Sequence, residues 1–475
     1  MNFFENFEQL SPDIKTALQY ILKENLHQFL SSPQEPPAIR INTLKTTTGG
    51  FTDKLRDWKI NCSVHPFNPD GMILNQEMGS LTHTLSFFTG EFIVQGISSQ
   101  IPVRVLDPQP GETILDMAAS PGSKSTQIAA LMKNTGRLLL CDPSLNRQQP
   151  LLTNLTRAGV LNDVYLGIPG QRTGRLFHEF FDRVLVDAPC SALSKLPGQI
   201  SRDDRWRTST LMDKLQNVQY HLLVSAIKAV KKDGVIVYST CTLTAEENEA
   251  MIDKMLNLYP VKVEKIEEIS GFSIADGLIE YAGRKFSPSL REAKRLLPFP
   301  DPFEAFFIVK LRKTGSVPLQ GFIKEQDYGR FETYEQADIA AVLDYLHRRW
   351  GMEPDFFADY RFLLTRKKLW LVQNSWGFYP VERFVKAGLP LAIRKGDNWK
   401  LSNASVQFLK NGIKKGIITL NKTQLVELFR TGRMPYSGAR NGYYVLNYEN
   451  ENIGIVSVMA GVMKISLPHR FNLRI

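Results

Sequence analysis

Two thiols carry the strongest chemical signal in this sequence. Cys190 closes the run Val184-Leu-Val-Asp-Ala-Pro-Cys190, and Cys241 closes Val235-Ile-Val-Tyr-Ser-Thr-Cys241. Apolar runs without polar alternation belong inside a parallel sheet, whose ligands collect beyond the carboxyl ends of its strands. Both sulfurs are therefore expected in one cleft. If the two strands are neighbours, about 5 Å apart, both reach the same small substrate. Asp187, between the first run and Pro189-Cys190, points into that cleft and suits an exocyclic amine or ring nitrogen of a base. Cys62 and Cys141 are read as packing residues, and the four cysteines lack the close pairs that hold zinc or mark a redox dithiol. No metal site is expected. The acidic stretch Thr244-Ala-Glu-Glu-Asn-Glu249 has the spacing of a capping box between Thr244 and Glu247, with acids in a first helical turn, and is left out of the chemistry.

Upstream, Glu112–Ala130 reads as a strand, a tight turn of small residues and a helix beginning near Lys124. The turn runs through Ala118, Ala119, Ser120, Pro121, Gly122, Ser123 and Lys124. Small residues let backbone approach a ligand, and free amides at a helix start favour an anion beside the Lys124 cation. An ordinary strand-to-helix turn is the competing reading. Neither G-x-G-x-x-G nor G-x-x-x-x-G-K-[ST] occurs there, which argues against dinucleotides and nucleoside triphosphates. The following run ends in Asp142, where an acid bonds ribose hydroxyls in nucleoside-binding sheets; an N-cap would also suit it, and its position relative to the turn favours ribose.

These residues need a scaffold of alternating strands and helices. Apolar runs at Thr113–Met117, Arg137–Cys141, Val164–Ile168, Arg183–Val186, Val235–Tyr238 and Ala305–Leu311 alternate with helical stretches, the pattern of a doubly wound α/β sheet. A helix over roughly Leu211–Lys231 is expected to stop at Gly234. The chain of 475 residues, 43% apolar, is long enough for two or three domains. Lys313-Thr-Gly-Ser-Val-Pro318 is the expected linker. Beyond it, residues 366–440 hold 15 Lys and Arg against 3 Asp and Glu, interleaved with Trp, Tyr and Phe. Such a block suits a phosphate backbone with unstacked bases, or else a solvated face. The amino-terminal residues have neither the basic start nor the apolar core of a signal peptide, and no apolar run spans a bilayer. A cytoplasmic protein with no membrane association is expected.

The ordered set Leu115-Asp-Met-Ala-Ala-Ser-Pro-Gly-Ser-Lys124, Asp187-Ala-Pro-Cys190 and Tyr238-Ser-Thr-Cys241 resembles the Sun/Nop family of S-adenosylmethionine-dependent RNA cytosine-5 methyltransferases. The likeness runs from Pro37-Ala-Ile-Arg-Ile-Asn-Thr-Leu-Lys45 through Phe306-Phe-Ile-Val-Lys-Leu-Arg-Lys313. Leu389–Gly396 and Ile453–Pro468 look like the RNA-binding, PUA-like part of bacterial members that modify small-subunit ribosomal RNA. The resemblance implies a Rossmann-like class I methyltransferase sheet at 86–315, a small N-terminal α+β accessory domain at 1–85, and a C-terminal α+β PUA-like region at 316–475.

It also implies roles. Cys241 would add to carbon 6 of cytosine, Cys190 would assist release after the carbon 5 proton is lost, and Asp187 would hold the base. The Ala118–Lys124 loop would bind S-adenosylmethionine with Asp142 on its ribose, and Asp187 would also contact the cofactor. The implied substrate is ribosomal RNA of the small subunit, with transfer RNA as the rival. A catalytically impaired RNA-binding assembly factor is the alternative from another class. Three residues depart from the family pattern: Ser120 stands where Ala is common, Pro169 where an acid often meets the adenine, and Cys190 is followed by Ser-Ala-Leu-Ser-Lys195 rather than Ser-Gly.

Overall fold

The computed structural model describes residue 7 and residues 12–31, 35–75, 78–195, 209–318, 336–376, 384–396, 398–466 and 473. Near the amino terminus, β1 (Ala38–Ile41), β2 (Cys62–His65), β3 (Asn68–Leu74) and β4 (Phe92–Val94) form an antiparallel sheet in the order β2-β3-β1-β4. Helix Ile97–Leu106 leads from it into the central sheet.

That sheet is built on five parallel strands: β5 (Thr113–Asp116), β6 (Arg137–Leu140), β7 (Asp163–Tyr165), β8 (Phe181–Asp187) and β9 (Val230–Thr240). Their spatial order is β7-β6-β5-β8-β9, so the winding reverses between β5 and β8. A crevice opens at such a reversal beyond the strand ends. Both faces are buried, as near-continuous apolar strands require: Leu115, Val184, Val186 and Ile236 pack with Leu223 and Ile227 of helix Ser209–Ala229. Ile114, Leu138, Leu185 and Val237 pack oppositely with Ile101 and Ile128. This is the doubly wound sheet expected from the strand pattern, and the Rossmann-like sheet that the resemblance implies. β10 (Val261–Glu264), β11 (Ser273–Asp276), β14 (Lys294–Leu297) and β15 (Phe306–Lys313) extend it antiparallel beyond β9, while β12 (Glu280–Tyr281) and β13 (Arg284–Lys285) pair apart.

Two expectations change in detail. The run Val164–Ile168 is strand only to Tyr165, because Gly167 turns the chain at φ 67°. Gly234 is not the helix stop: the helix ends at Ala229 and β9 has begun at Val230, with Asp233 the left-handed residue. A Cβ at Gly234 would lie 2.6 Å from Val230 Cγ2 and 2.9 Å from the Asp182 carbonyl, so glycine there serves the close approach of β8.

The carboxy-terminal part is mixed α and β. β16 (Tyr360–Leu364), β17 (Lys368–Gln373), β19 (Leu389–Lys395) and β20 (Asn398–Leu401) form one antiparallel sheet, and Gly442–Tyr448, Glu451–Met459 and Val462–Ile465 run through another. Between β17 and β19, β18 (Lys386–Ala387) adds to the edge of the central sheet, antiparallel to β7. Ser375 Oγ donates to the Gly136 carbonyl, Trp376 Nε1 to Asn162, and buried Lys386 ion-pairs with buried Asp163 at 2.7 Å. Burial pushes the Asp163 carboxyl up and the Lys386 ammonium down, so each charge depends on the other. Removing one partner strands a charge, whereas replacing both with apolar groups does not. Asp163→Ala is expected to cost about 3–5 kcal/mol in chemical denaturation, and the Asp163→Leu/Lys386→Met double variant to recover most of it.

Candidate active site

β8 and β9 pair in parallel from Arg183 opposite Val235 to Asp187 opposite Ser239, so the loops after them leave the sheet side by side. Cys190 and Cys241 stand on those loops with their sulfurs 3.2 Å apart. The Cys241 amide donates to Cys190 Sγ at 3.3 Å, and the Ser194 amide donates to the Cys241 carbonyl at 3.3 Å. Both thiols are free and partly buried. The contact with Cys241, burial and the nearby Glu247 carboxylate push the Cys190 thiol well above its ordinary range. Two sulfurs so placed allow one to bond an electrophilic ring carbon while the other exchanges a proton with it.

Asp187 closes the near side. Its Oδ1 accepts from Ser239 Oγ at 2.7 Å, and its Oδ2 meets Lys124 Nζ at 2.8 Å. Lys124 also donates to Ser99 Oγ at 2.7 Å, which pins the small-residue turn between β5 and helix Ser123–Leu131 against the cleft. Gly122 sits at φ 102°, a conformation that residues with side chains rarely adopt, and as the N-cap it leads directly into that helix. Ser120, the residue that replaces the usual Ala, donates to the Arg147 carbonyl at 2.8 Å, and Arg147 Nη2 returns a bond to the Ser120 carbonyl at 2.6 Å.

Asp142 lies two residues past the end of β6. The Ser144 amide donates to its Oδ1 at 2.9 Å and the Ser120 amide to its Oδ2 at 3.3 Å, so it tethers the turn while each oxygen retains a lone pair. Pro169 precedes a short 3-10 turn, Gly170–Arg172, and brings no carboxylate to the cleft.

Several residues that shape the site escaped the sequence reading. Asp116 ends β5 fully enclosed, accepting from Ser125 Oγ at 2.7 Å and from the Ala118 amide at 3.3 Å. Arg40, from the amino-terminal sheet, is 2% exposed and donates to Thr126 Oγ1 at 2.8 Å and Gln95 Oε1 at 2.9 Å, buttressing the helix behind the turn. An arginine within Ala38-Ile-Arg-Ile41 was the available signal, because a cation inside an apolar strand needs a partner. Glu247, read as a capping residue, instead bonds across to the Cys190 loop. Helix Glu249–Leu258 starts two residues later, with Asn248 as its N-cap. Glu249 is also not a mere first-turn acid, since it forms a buried ion pair with Arg295 at 2.5 Å.

The basic block is divided. Arg366, Lys367, Arg394, Lys395, Lys414 and Lys415 are exposed, whereas Lys386 is spent on Asp163.

The 16S rRNA methyltransferase RsmB/F family matches residues 103–312. The chain is 35% identical over 319 residues to a tRNA (cytosine(49)-C(5))-methyltransferase of Pyrococcus abyssi, covering 66% of this chain and 99% of that protein. It is 30% identical to the ribosomal RNA small subunit methyltransferase F of Aeromonas hydrophila, over 94% of this chain and 93% of that one. A solved methyltransferase homolog from Pyrococcus horikoshii superposes with TM-score 0.58 at 30% identity, over 66% of this chain and 98% of its own.

Burial, with the Asp187 charge adding to it, pushes the Asp116 carboxyl up to about 6. The folded state therefore keeps a proton that the unfolded chain loses near pH 4, and the fold bears a growing ionisation cost as pH rises from about 4 to 6. Asp116→Asn removes that cost, and Ser125 Oγ can turn to accept from the amide. The variant should match the parent at pH 4 and exceed its stability by up to about 3 kcal/mol at pH 7, as read by denaturation at the two pH values.

Proposed function

Because the chain belongs to the RsmB/F family of RNA cytosine-C5 methyltransferases, we propose that it methylates carbon 5 of a cytosine in 16S ribosomal RNA through a covalent adduct at Cys241, using S-adenosylmethionine. The observation that carries this reading is the pair of free thiols 3.2 Å apart at the ends of adjacent parallel strands. Cys241 Sγ adds to carbon 6 of the ring, which makes carbon 5 electron-rich. Cys190 assists release of the enzyme once the carbon 5 proton has gone. Asp187, already holding Lys124 and Ser239, has lone pairs left for the exocyclic amine or ring nitrogen of the base. The target base must leave its stack or lie in a loop for both its edge and its face to be reached.

The residues present suit the cofactor. Ala118, Ala119, Ser120, Pro121, Gly122, Ser123 and Lys124 would hold it through the tight turn and the helix start, and Asp142 has acceptor capacity for its ribose hydroxyls. When bound, S-adenosylmethionine supplies an electrophilic methyl group.

In this reading residues 1–85 form an accessory RNA-binding domain, 86–315 the methyltransferase domain and 316–475 a PUA-like region whose exposed cations take the RNA backbone. Small-subunit rRNA is preferred to tRNA because the likeness to rRNA methyltransferase F extends through the C-terminal part, whereas the tRNA enzyme covers 66% of the chain. Among the described residues no helix is long and apolar enough to cross a membrane, and a cytoplasmic enzyme acting on the small subunit or its RNA fits the reading.

Purified protein with labelled S-adenosylmethionine should form 5-methylcytosine in 16S rRNA; no incorporation into ribosomal or transfer RNA sinks the enzymatic reading in favour of an impaired assembly factor. Cys190→Ala should trap an RNA adduct that resists denaturing electrophoresis, and adding Cys241→Ala should abolish it. Asp142→Ala should weaken S-adenosylmethionine binding by about tenfold or more, measured calorimetrically.

A further inference from the structure

The carboxylate of Glu247 is fully buried, and no cation touches it among the described residues. Four neutral donors hold it instead. Ser191 Oγ and Thr244 Oγ donate to Oε1 at 2.5 and 3.0 Å, while the Ser191 amide and Gln219 Nε2 donate to Oε2 at 3.0 and 2.8 Å. Ser191 follows Cys190 directly, and Thr244 lies three residues past Cys241. The same Gln219 nitrogen also donates to the Pro189 carbonyl at 2.9 Å, and Ser191 Oγ lies 2.7 Å from Thr242 Oγ1. Every bond of this cluster spans or steadies the two thiol loops, and one carboxyl group sits at its centre.

We propose that Glu247 is a positioning residue that gives the two thiols unequal roles: it clamps the Cys190 loop to the Cys241 loop and sets its uncompensated charge against Cys190. This rests on the covalent reading above. The titratable groups facing Cys190 are Cys241, Glu247, Tyr238 of β9 and Lys195 of its own loop, and Lys195 lies 3.7 Å from Glu304. A negative charge beside a thiol opposes its ionisation, so Cys190 is held as the protonated partner. In the release step the electrons of the C5–H bond form the C5=C6 double bond, and the carbon 5 proton leaves to water in the cleft. The C6–S bond pair stays on Cys241 Sγ, which takes the proton of Cys190 across 3.2 Å. Cys190 then regains a proton from solvent.

The arrangement of donors separates charge from clamp. Oε1 faces only hydroxyls, which can turn to accept, and Oε2 faces only N–H donors. Glu247→Gln therefore keeps the four bonds and loses the charge, whereas Glu247→Ala loses both. In a Cys241→Ala background, with iodoacetamide as the probe and the Cys190 peptide followed by mass spectrometry, Glu247→Gln should lower the pH midpoint of Cys190 alkylation by about one unit. An unchanged midpoint overturns the charge role. With both cysteines present, diamide should close the Cys190–Cys241 disulfide at a rate within about threefold of the parent in Glu247→Gln and at least about tenfold slower in Glu247→Ala. Equal rates in all three proteins overturn the clamp, and if the alanine variant does not fold, the alkylation midpoint of the glutamine variant still decides the charge role. In turnover, Glu247→Gln makes Cys190 the stronger acid, so the variant should leave adduct formation within about threefold and should not slow adduct release, whereas Glu247→Ala, which frees the loop, should slow release about tenfold; release slowed in the glutamine variant overturns the assignment. The thiol measurements need no RNA, so their failure is distinct from a failure of the parent protein to make 5-methylcytosine.

Discussion

Parallel hydrogen bonding between β8 and β9, in register through Val186 opposite Tyr238 and Asp187 opposite Ser239, is the constraint on which the site depends. A one-residue slip would send every side chain of one strand to the opposite face and take one thiol out of the cleft. Packing prevents it, since Val184, Val186, Ile236 and Tyr238 are buried on one face while Leu185 and Val237 are buried on the other. Gly234 lets β8 come close enough at the start of the pairing for this register to hold to the strand ends.

Beyond the strand ends, order is maintained by charge and hydrogen bonds. Lys124 bridges Ser99 and Asp187, Arg40 braces the helix behind the small-residue turn, and Glu247 joins the two thiol loops. Buried polar groups are costly unless satisfied, and here each satisfies several others at once. The loops are consequently held by the same groups that set the electrostatics of the sulfurs. Ser191 and Ser194, which flank the departure from the family's Ser-Gly pattern at Ala192, both enter this system, Ser191 through Glu247 and Ser194 through Glu304.

The amino- and carboxy-terminal parts are likewise mechanical parts of the central sheet. Arg40 reaches in from one side, and β18 with the Lys386–Asp163 pair closes the opposite edge at β7. An edge strand with open backbone groups invites unwanted pairing, and β18 covers it. The surface carrying Arg394 and Lys395 is thereby attached to the methyltransferase sheet by backbone hydrogen bonds as well as side-chain contacts.

Local patterns of residues were enough to read the alternating strands and helices, the small-residue turn after β5, the position of Asp142 and the placement of Cys190 and Cys241 past strand ends. Each depends on neighbours in sequence: apolar runs make buried strands, and small residues before a helix make a tight turn. Tertiary structure alone decided that the two sulfurs touch, that Asp187 takes Lys124, and that Lys386 leaves the basic surface for Asp163. It also took Glu247 out of a helix cap and placed it between two loops, and moved the role of Gly234 from stopping a helix to admitting a strand. Such partners lie tens to hundreds of residues apart, and a side chain's spacing to its near neighbours carries no information about which distant group will share its enclosure.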